Sequence, residues 1–329
     1  CPGCATGCNV EVHHAQGEIW RLVPRENLQV NKYWMCDEGR FTYKNVRHKR
    51  LTSARIGGGR GQPAQITSID KAVAFAAERL DRLASGGGTI GLVFSAQTTN
   101  EALFALSQVA QKLSTRGATI RTYVTGTAAR PERADKILRS ADTNPNAAGA
   151  KLFAGTGAGD ASALLSDLKA GKLKGLWMAG GDLPLTEQAL FDAAPLVDGL
   201  ELFICQAVHD SPLLRRAQVQ LPAAAWAEVD GSFTNNKNLV QRLRKAVTPQ
   251  GDARSHLELI GQIAKKANLA QSEKWQVSAR QAFLQMVASV SSSLPAGADP
   301  AQSVAAGFAS ADWGREYLPV QLRFANSRG

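Results

Sequence analysis

The sequence lacks any run of eighteen or more apolar residues, so no segment is predicted to cross a lipid bilayer as a helix. Cysteine is also scarce, because the 329 residues include five, and four of these lie within the first 36 positions. An odd number clustered at one end argues against a secreted disulfide framework and for a metal or redox site in a reducing compartment. The chain opens on Cys without a signal peptide, which predicts a processed or truncated piece of a longer polypeptide.

Common motifs of catalytic proteins are missing as well. The sequence has no G-x-x-x-x-G-K-[ST] phosphate loop and no G-x-S-x-G nucleophile elbow. The segment GGGTIG at 86–91 matches the letters of the dinucleotide fingerprint, but it precedes a predicted strand instead of following one. We therefore predict neither a P-loop nucleotide site nor a serine hydrolase.

Positive charge is in excess, since Lys and Arg outnumber Asp and Glu by ten. Part of the excess lies in one stretch without acidic residues, 40–60, which we call the basic stretch. Its members are Arg40, Lys44, Arg47, Lys49, Arg50, Arg55 and Arg60. Nucleic-acid modules usually interleave such charges with stacking aromatic side chains, and only Phe41 and Tyr43 are near. The basic stretch is therefore predicted to be a docking surface, and no nucleic-acid partner is predicted.

The four early cysteines, Cys1, Cys4, Cys8 and Cys36, have the spacing C-x2-C-x3-C-x27-C. Three thiols on a tight loop and one from a distant turn suit a tetrathiolate site. Zinc usually takes two paired C-x2-C knuckles, whereas a [4Fe-4S] cluster accepts an uneven arrangement of three plus one. An iron-sulfur cluster held by these four cysteines is therefore favoured, with zinc as the alternative.

Other residues with metal or redox chemistry are interpreted as structural. His13 and His14 lie in a predicted strand close to the cysteines, and we expect them to be surface residues. Cys205 ends an apolar strand and is predicted to be a small buried hydrophobe.

Apolar periodicity predicts the order of the elements. A hairpin with its turn at Gly17 comes first, and strands then alternate with helices. Thr98 and Glu101 are predicted to form a capping box at the start of a helix. The predicted strands are 89–95, 119–124, 174–180, 201–206 and 217–222. The predicted helices are 69–84, 99–113, 134–141, 161–170, 186–194, 211–217, 255–267 and 275–290.

This alternation predicts an α/β fold. A small N-terminal β-hairpin iron-sulfur domain is followed by a mainly parallel, three-layer α/β domain and a helical C-terminal tail. We place the cluster-binding domain at 1–56, the α/β domain at 57–270 and a helical and irregular tail at 271–329.

Both ends of the chain resemble a known family. CPGCATGCNV, GEIWRLVPREN and VNKYWMCDEGRFTY resemble the iron-sulfur segment of the large iron-sulfur subunit of NADH:quinone oxidoreductase, respiratory complex I. VQLPAAAWAEVDGSFTNNKNLVQRLRKAVTPQGDAR at 219–254 is similar to the block that this large subunit shares with molybdopterin oxidoreductases.

The resemblance implies an α/β domain of molybdopterin-oxidoreductase type and a [4Fe-4S] cluster on Cys1, Cys4, Cys8 and Cys36. It implies an electron-transfer and scaffold subunit of a membrane-associated, translocating NADH dehydrogenase, not catalytic by itself. Its partners would be the other peripheral-arm subunits of complex I, on the cytoplasmic side of the bacterial inner membrane, with membrane contact only through the complex.

Departures from the family pattern predict that no molybdopterin is bound. Glu38 stands two residues after the fourth cysteine, where catalytic molybdenum relatives commonly have a Lys. No cysteine lies between Cys36 and Cys205, and the sequence ends without the C-terminal barrel that encloses the pterin in those enzymes.

Two alternatives remain at this point. In the first alternative, the chain is a fragment of a molybdopterin-dependent oxidoreductase such as formate dehydrogenase. In the second, it is a zinc-stabilised nucleic-acid-binding protein.

Overall fold

A computed structural model describes residues 1–59, 62–181, 183–269 and 278–291. Its first unit is the predicted hairpin, in which β1 (Val10–Ala15) pairs antiparallel with β2 (Glu18–Pro24). Gln16 and Gly17 both have positive φ, at 52° and 78°, which is the backbone that a two-residue hairpin turn requires. The short helix α1 (Asp37–Arg40) follows, and the hairpin is confirmed.

A seven-stranded sheet forms the body of the protein. Its strands are β3 (Ala54–Ile56), β4 (Gln65–Thr67), β5 (Thr89–Ser95), β6 (Thr119–Thr125), β7 (Gly175–Ala179), β8 (Leu202–Ala207) and β9 (Val219–Pro222). The strand order is β4-β3-β9-β8-β7-β5-β6. The strands from β5 to β9 run parallel, whereas β3 pairs antiparallel with both β4 and β9. A second hairpin, β10 (Gly231–Thr234) with β11 (Val240–Leu243), lies outside this sheet.

Helices cover both faces of the sheet. They are α2 (Ile69–Ser85), α3 (Asn100–Thr115), α4 (Ala147–Ala154), α5 (Ala161–Lys169), α6 (Glu187–Ala193), α7 (His256–Lys266) and α8 (Ala279–Ser291). Alternation along β5 explains the two cores, because Phe94 packs with α2, α3 and α7 while Val93 packs with α5. The mainly parallel three-layer fold is therefore confirmed. In the described ranges, no helix is both long enough and apolar enough to traverse a bilayer.

Two predicted helices are wrong. Residues 134–141 form an irregular loop, because the Asp135 carboxylate accepts the backbone N–H groups of Ile137, Leu138 and Arg139 at 2.9, 2.6 and 3.0 Å. These bonds lower the pKa of Asp135 to about 2 and offer the backbone an alternative to helix. At 211–217 only a 3-10 turn forms, at Leu214–Arg216.

The predicted capping box of α3 is also wrong. Thr98 Oγ1 instead donates to the carbonyl of Ala179 at 3.0 Å, and Glu101 points away from the helix end toward Ser232. The N-cap residue is Thr99, which makes no side-chain cap hydrogen bond. Of the predicted tail, α8 confirms a helical part, and residues 270–277 and 292–329 lie outside the described residues.

Candidate metal centre

The four predicted ligands come from two segments that meet. Cys1, Cys4 and Cys8 lie on the loop before β1, and Cys36 is the N-cap of α1, where its Sγ accepts the Gly39 N–H at 3.3 Å. A Cβ placed on Gly39 would lie 3.2 Å from Cys1 Sγ and 3.3 Å from Cys36 Sγ, so these two sulfurs flank the same glycine.

Cys8 joins the group electrostatically. Burial raises the pKa of the Cys8 thiol to about 11, and the Cys4 and Cys36 thiolates raise it further. Each cysteine of an iron-sulfur cluster binds a different iron, so its four sulfurs need not converge on one point. Within the described ranges no three His, Cys, Asp or Glu side chains are placed to hold a single metal ion. Four thiols on two segments that meet supply the donor types of a [4Fe-4S] cluster.

Glycine is required at two positions of this centre. At Gly39 an added methyl group would contact both sulfurs and Met35 Cε, which is 3.3 Å from the built position. Gly7 has a φ of 67° and faces Gln241, whose Nε2 would lie 2.5 Å from an added Cβ. A residue larger than glycine at position 7 or 39 would therefore distort this centre.

The body of the protein fixes the cysteine loop from two sides. On one side Thr6 Oγ1 donates to the Leu138 carbonyl at 2.6 Å. On the other, Gln241 Nε2 donates to the Gly7 carbonyl at 2.9 Å and Asn235 Nδ2 donates to the Thr6 carbonyl at 3.2 Å. Asn235 and Gln241, which hold the predicted ligand loop on the second side, lie in the polar run FTNNKNLVQ.

One member of the basic stretch joins the cluster segment to the body. The Arg50 guanidinium binds both carboxylate oxygens of Glu228, at 3.0 and 2.8 Å, and the two side chains are 2 % and 1 % exposed. Arg50 is therefore an internal residue and cannot be part of the predicted docking surface. Arg47 is partly engaged as well, since it pairs with Glu18 and donates to the carbonyl of Gly17.

Glu38 lies on the outer side of the metal centre. Its carboxylate accepts from Arg133 at 3.2 Å and from Arg139 at 3.5 Å, both on the irregular loop that replaces a predicted helix. Because all three side chains are about one-third to one-half exposed, these pairs add little stability. They place two positive charges beside the acidic residue that follows Cys36.

A cleft opens where β5, β7 and β8 end, at the point where the strand order reverses. Its lining includes Gly180, His209, Trp226 and His256. His256 Nδ1 lies 3.0 Å from Gln206 Oε1, and burial lowers the pKa of His256 to about 4. The buried Trp226 Nε1 and Gln206 Nε2 have no partner among the described residues. Polar groups therefore converge on this cleft.

Glu101 is a buried carboxylate and not part of the predicted capping box. Its two oxygens accept the Ser232 N–H at 2.9 Å and the Ser232 hydroxyl at 2.8 Å. Asn100 Nδ2 donates to the same hydroxyl at 3.1 Å, so the start of α3 is bound to the hairpin strand β10. Burial raises the pKa of Glu101 to about 7, although these hydrogen bonds lower it in part.

The interpretation of the remaining residues is confirmed. Cys205 is 1 % exposed inside the sheet. His14 is exposed, and His13 Nδ1 accepts from Arg21 Nε at 3.2 Å on the surface of the hairpin.

Comparison with protein families gives two matches. Residues 1–48 match the Molybdopterin oxidoreductase Fe4S4 domain, and residues 143–266 match Molybdopterin oxidoreductase. These two segments of the chain therefore resemble molybdopterin oxidoreductases. The Fe4S4 match covers all four predicted ligands and favours iron-sulfur over zinc. The second match covers part of the cleft lining, including Gly180, His209 and His256. Because that family is named for molybdopterin, the absence of this cofactor stays a prediction.

Relatives within the family point to more than one activity. The chain is 36 % identical over 99 residues to the F420-dependent formate dehydrogenase 2 subunit alpha of Methanococcus maripaludis, covering 30 % of the chain and 15 % of that protein. It is 31 % identical over 112 residues to an NADH-quinone oxidoreductase subunit of Streptomyces coelicolor, covering 34 % and 13 %. With the corresponding NADH-quinone oxidoreductase subunit of Pseudomonas fluorescens it shares 40 % over 81 residues, covering 24 % and 8 %. The chain thus matches less than a fifth of each relative's length.

A solved structure supports the fold. Acetylene hydratase from Pelobacter acetylenicus matches with a TM-score of 0.54 and 10 % identity, over 85 % of this chain and 71 % of that one. At this identity the likeness concerns the fold alone. Together with the family match over 143–266 it confirms an α/β fold of molybdopterin-oxidoreductase type.

Proposed function

We propose that Cys1, Cys4, Cys8 and Cys36 bind one [4Fe-4S] cluster. The observation that carries the proposal is the meeting of two distant thiol-bearing segments around Gly39. The cluster would supply one-electron transfer. The chain supplies a partly buried pocket and one backbone N–H donor to a sulfur, which tunes the reduction potential.

Anaerobic reconstitution tests this proposal. The protein should take up about four irons per chain and give an EPR signal on reduction. Cys36→Ser should lose iron and lower the melting temperature, because binding energy at such sites is folding energy. Cys205→Ala is the matched control, since its sulfur lies in the sheet, and it should keep full iron. Stoichiometric zinc without iron would contradict the proposal.

We further propose that the chain is an electron-transfer and scaffold part of a membrane-associated NADH:quinone oxidoreductase, on the cytoplasmic side of the bacterial inner membrane. Its similarity to relatives named as NADH-quinone oxidoreductase subunits supports this role. The other peripheral-arm subunits would be its partners, and the chain alone would have no catalytic activity. We retain 1–56, 57–270 and 271–329 as the proposed domain boundaries.

The second candidate is a fragment of a molybdopterin-dependent formate dehydrogenase. Its support is the 36 % identity to a formate dehydrogenase alpha subunit, together with the cleft that the matched segment lines in part. Elemental analysis of the protein purified from its own organism separates the two. Molybdenum or tungsten bound to the protein would favour this candidate and contradict the prediction that no molybdopterin is bound. Iron without either metal would favour the first.

A further inference from the structure

Large apolar side chains are exposed mainly in the segment that holds the cysteines. Of nine such side chains in the described ranges, five lie between positions 20 and 41 and are more than half exposed. They are Trp20, Leu28, Tyr33, Trp34 and Phe41. Three of them share one short loop, residues 27–34, which we call the aromatic loop. Clustered exposure of this kind marks interaction sites, whereas scattered apolar side chains do not.

The backbone of the aromatic loop is held in place before any partner binds. Asn27 and Lys32 exchange two backbone hydrogen bonds, at 2.9 and 2.7 Å, which close the loop. The side chain of Asn31, 2 % exposed, donates to the carbonyls of Arg25 and Trp34 at 3.1 Å each. Its oxygen accepts the backbone N–H of the residue before β1 at 2.9 Å. A preorganised loop loses little conformational entropy on binding, which favours affinity.

The rim of the aromatic loop is positive. Arg25, Lys32 and Lys237 are exposed, and Lys237 Nζ donates to the Gln29 carbonyl at 2.9 Å, which places its charge on the loop. Among the described residues none of these three cations pairs with a carboxylate, and Glu26 is the acidic residue of positions 25–34. Tyr, Trp and Arg dominate the energetic centres of protein interfaces. A complementary surface would therefore be an apolar pocket bordered by Asp and Glu.

We propose that the aromatic loop is a docking site for an acidic protein subunit. The inference rests on the proposed function, and it adds the place and chemistry of the contact. Trp34 is two residues from the proposed ligand Cys36, so a subunit seated on the loop approaches the metal centre. A protein occupant is favoured because the relatives named above are subunits of larger assemblies.

Binding to the remaining peripheral-arm subunits of the same organism, purified as a subcomplex without this chain, tests the proposal by calorimetry. The double variant Tyr33→Ser with Trp34→Ser should bind at least about tenfold more weakly than the unaltered chain. Lys32→Glu should weaken binding more at low than at high salt, because exposed charges are screened. The matched control is Phe191→Ser, an equally exposed aromatic side chain outside the segment, which should bind as the unaltered chain does. Leu28→Ser is the second loop variant if the double variant misfolds by circular dichroism.

Several results would overturn the docking site. These are no binding of the unaltered chain, unchanged affinity of the loop variants, or loop-dependent binding to phosphatidylglycerol vesicles or to a second copy instead of the subcomplex. Iron content separates this proposal from the preceding one. If the chain holds full iron but the loop variants bind as the unaltered chain does, the docking site is refuted and the cluster proposal stands. If the chain takes up no iron but binds through the loop, the cluster proposal is refuted and the docking site stands.

Discussion

Removing one partner of the buried ion pair between Arg50 and Glu228 should strongly destabilise the protein. Glu228→Gln leaves the guanidinium of Arg50 in a site where both side chains are at most 2 % exposed, and no carboxylate then balances its charge. The loss of a partner from such a buried pair costs about 3 to 5 kcal/mol. The Ala225 N–H bond to this side chain, at 2.7 Å, can be kept by the glutamine oxygen, so the charge itself is what the substitution tests.

Urea unfolding at neutral pH, followed by circular dichroism, measures this effect. The double variant Arg50→Met with Glu228→Leu should recover most of the lost stability, because replacing a whole buried pair by apolar residues is often neutral. As a control, Glu78→Gln breaks an exposed pair with Arg82, whose side chains are 69 % and 72 % exposed, and should cost less than about 0.5 kcal/mol. A loss below about 1 kcal/mol in Glu228→Gln would refute the reasoning.

Three further substitutions probe the metal centre, the buried carboxyl of Glu101 and the cleft. Gly39→Ala should lower iron uptake, because its Cβ would crowd two sulfurs, whereas Gly199→Ala, which meets open space, should not; equal iron in both would contradict the geometry. Burial raises the pKa of Glu101 from 4.5 to about 7, so its contribution to stability is full below pH 4.5 and is lost as the pH rises through about 7. Urea unfolding across this range should show a difference between the unaltered chain and Glu101→Gln that changes by on the order of 3 kcal/mol, and a constant difference would contradict the buried carboxyl. Burial lowers the pKa of His256 from 6.5 to about 4, so its contribution is full above pH 6.5 and is lost as the pH falls through about 4. The same titration with His256→Gln should therefore lack this acid-side loss, and a retained loss would contradict it.

The parallel strands β5 to β9 could be predicted because each contains a short apolar run in the sequence. TIGLVFS forms β5 over the predicted residues, since a strand buried on both faces tolerates few polar side chains. The helix α4 escaped prediction because AAGAKLFA has little alternation and contains Gly149. That glycine is required, since a Cβ there would lie 2.0 Å from Asn100 Oδ1. Such a contact between distant residues leaves no local signal.

The candidate site also contains residues that could be predicted from the sequence and residues that could not. Spacing alone predicted the four cysteines as ligands, because three of them lie close together in sequence. Asn235 and Gln241, which hold that loop, could not be identified, because their partners lie more than two hundred positions away. Glu101 was misread for a related reason: a local motif explained it, while its actual partner, Ser232, comes from another hairpin.

The attachment of the cysteine loop to Gln241 has a consequence for biogenesis. A ribosome makes Cys1, Cys4 and Cys8 before Gln241, which emerges some 230 residues afterwards. At about 5 to 20 residues per second, the thiols wait for more than ten seconds before their support exists. Iron loading during synthesis would meet an unsupported loop, so a cluster on these cysteines would be inserted after translation of the body.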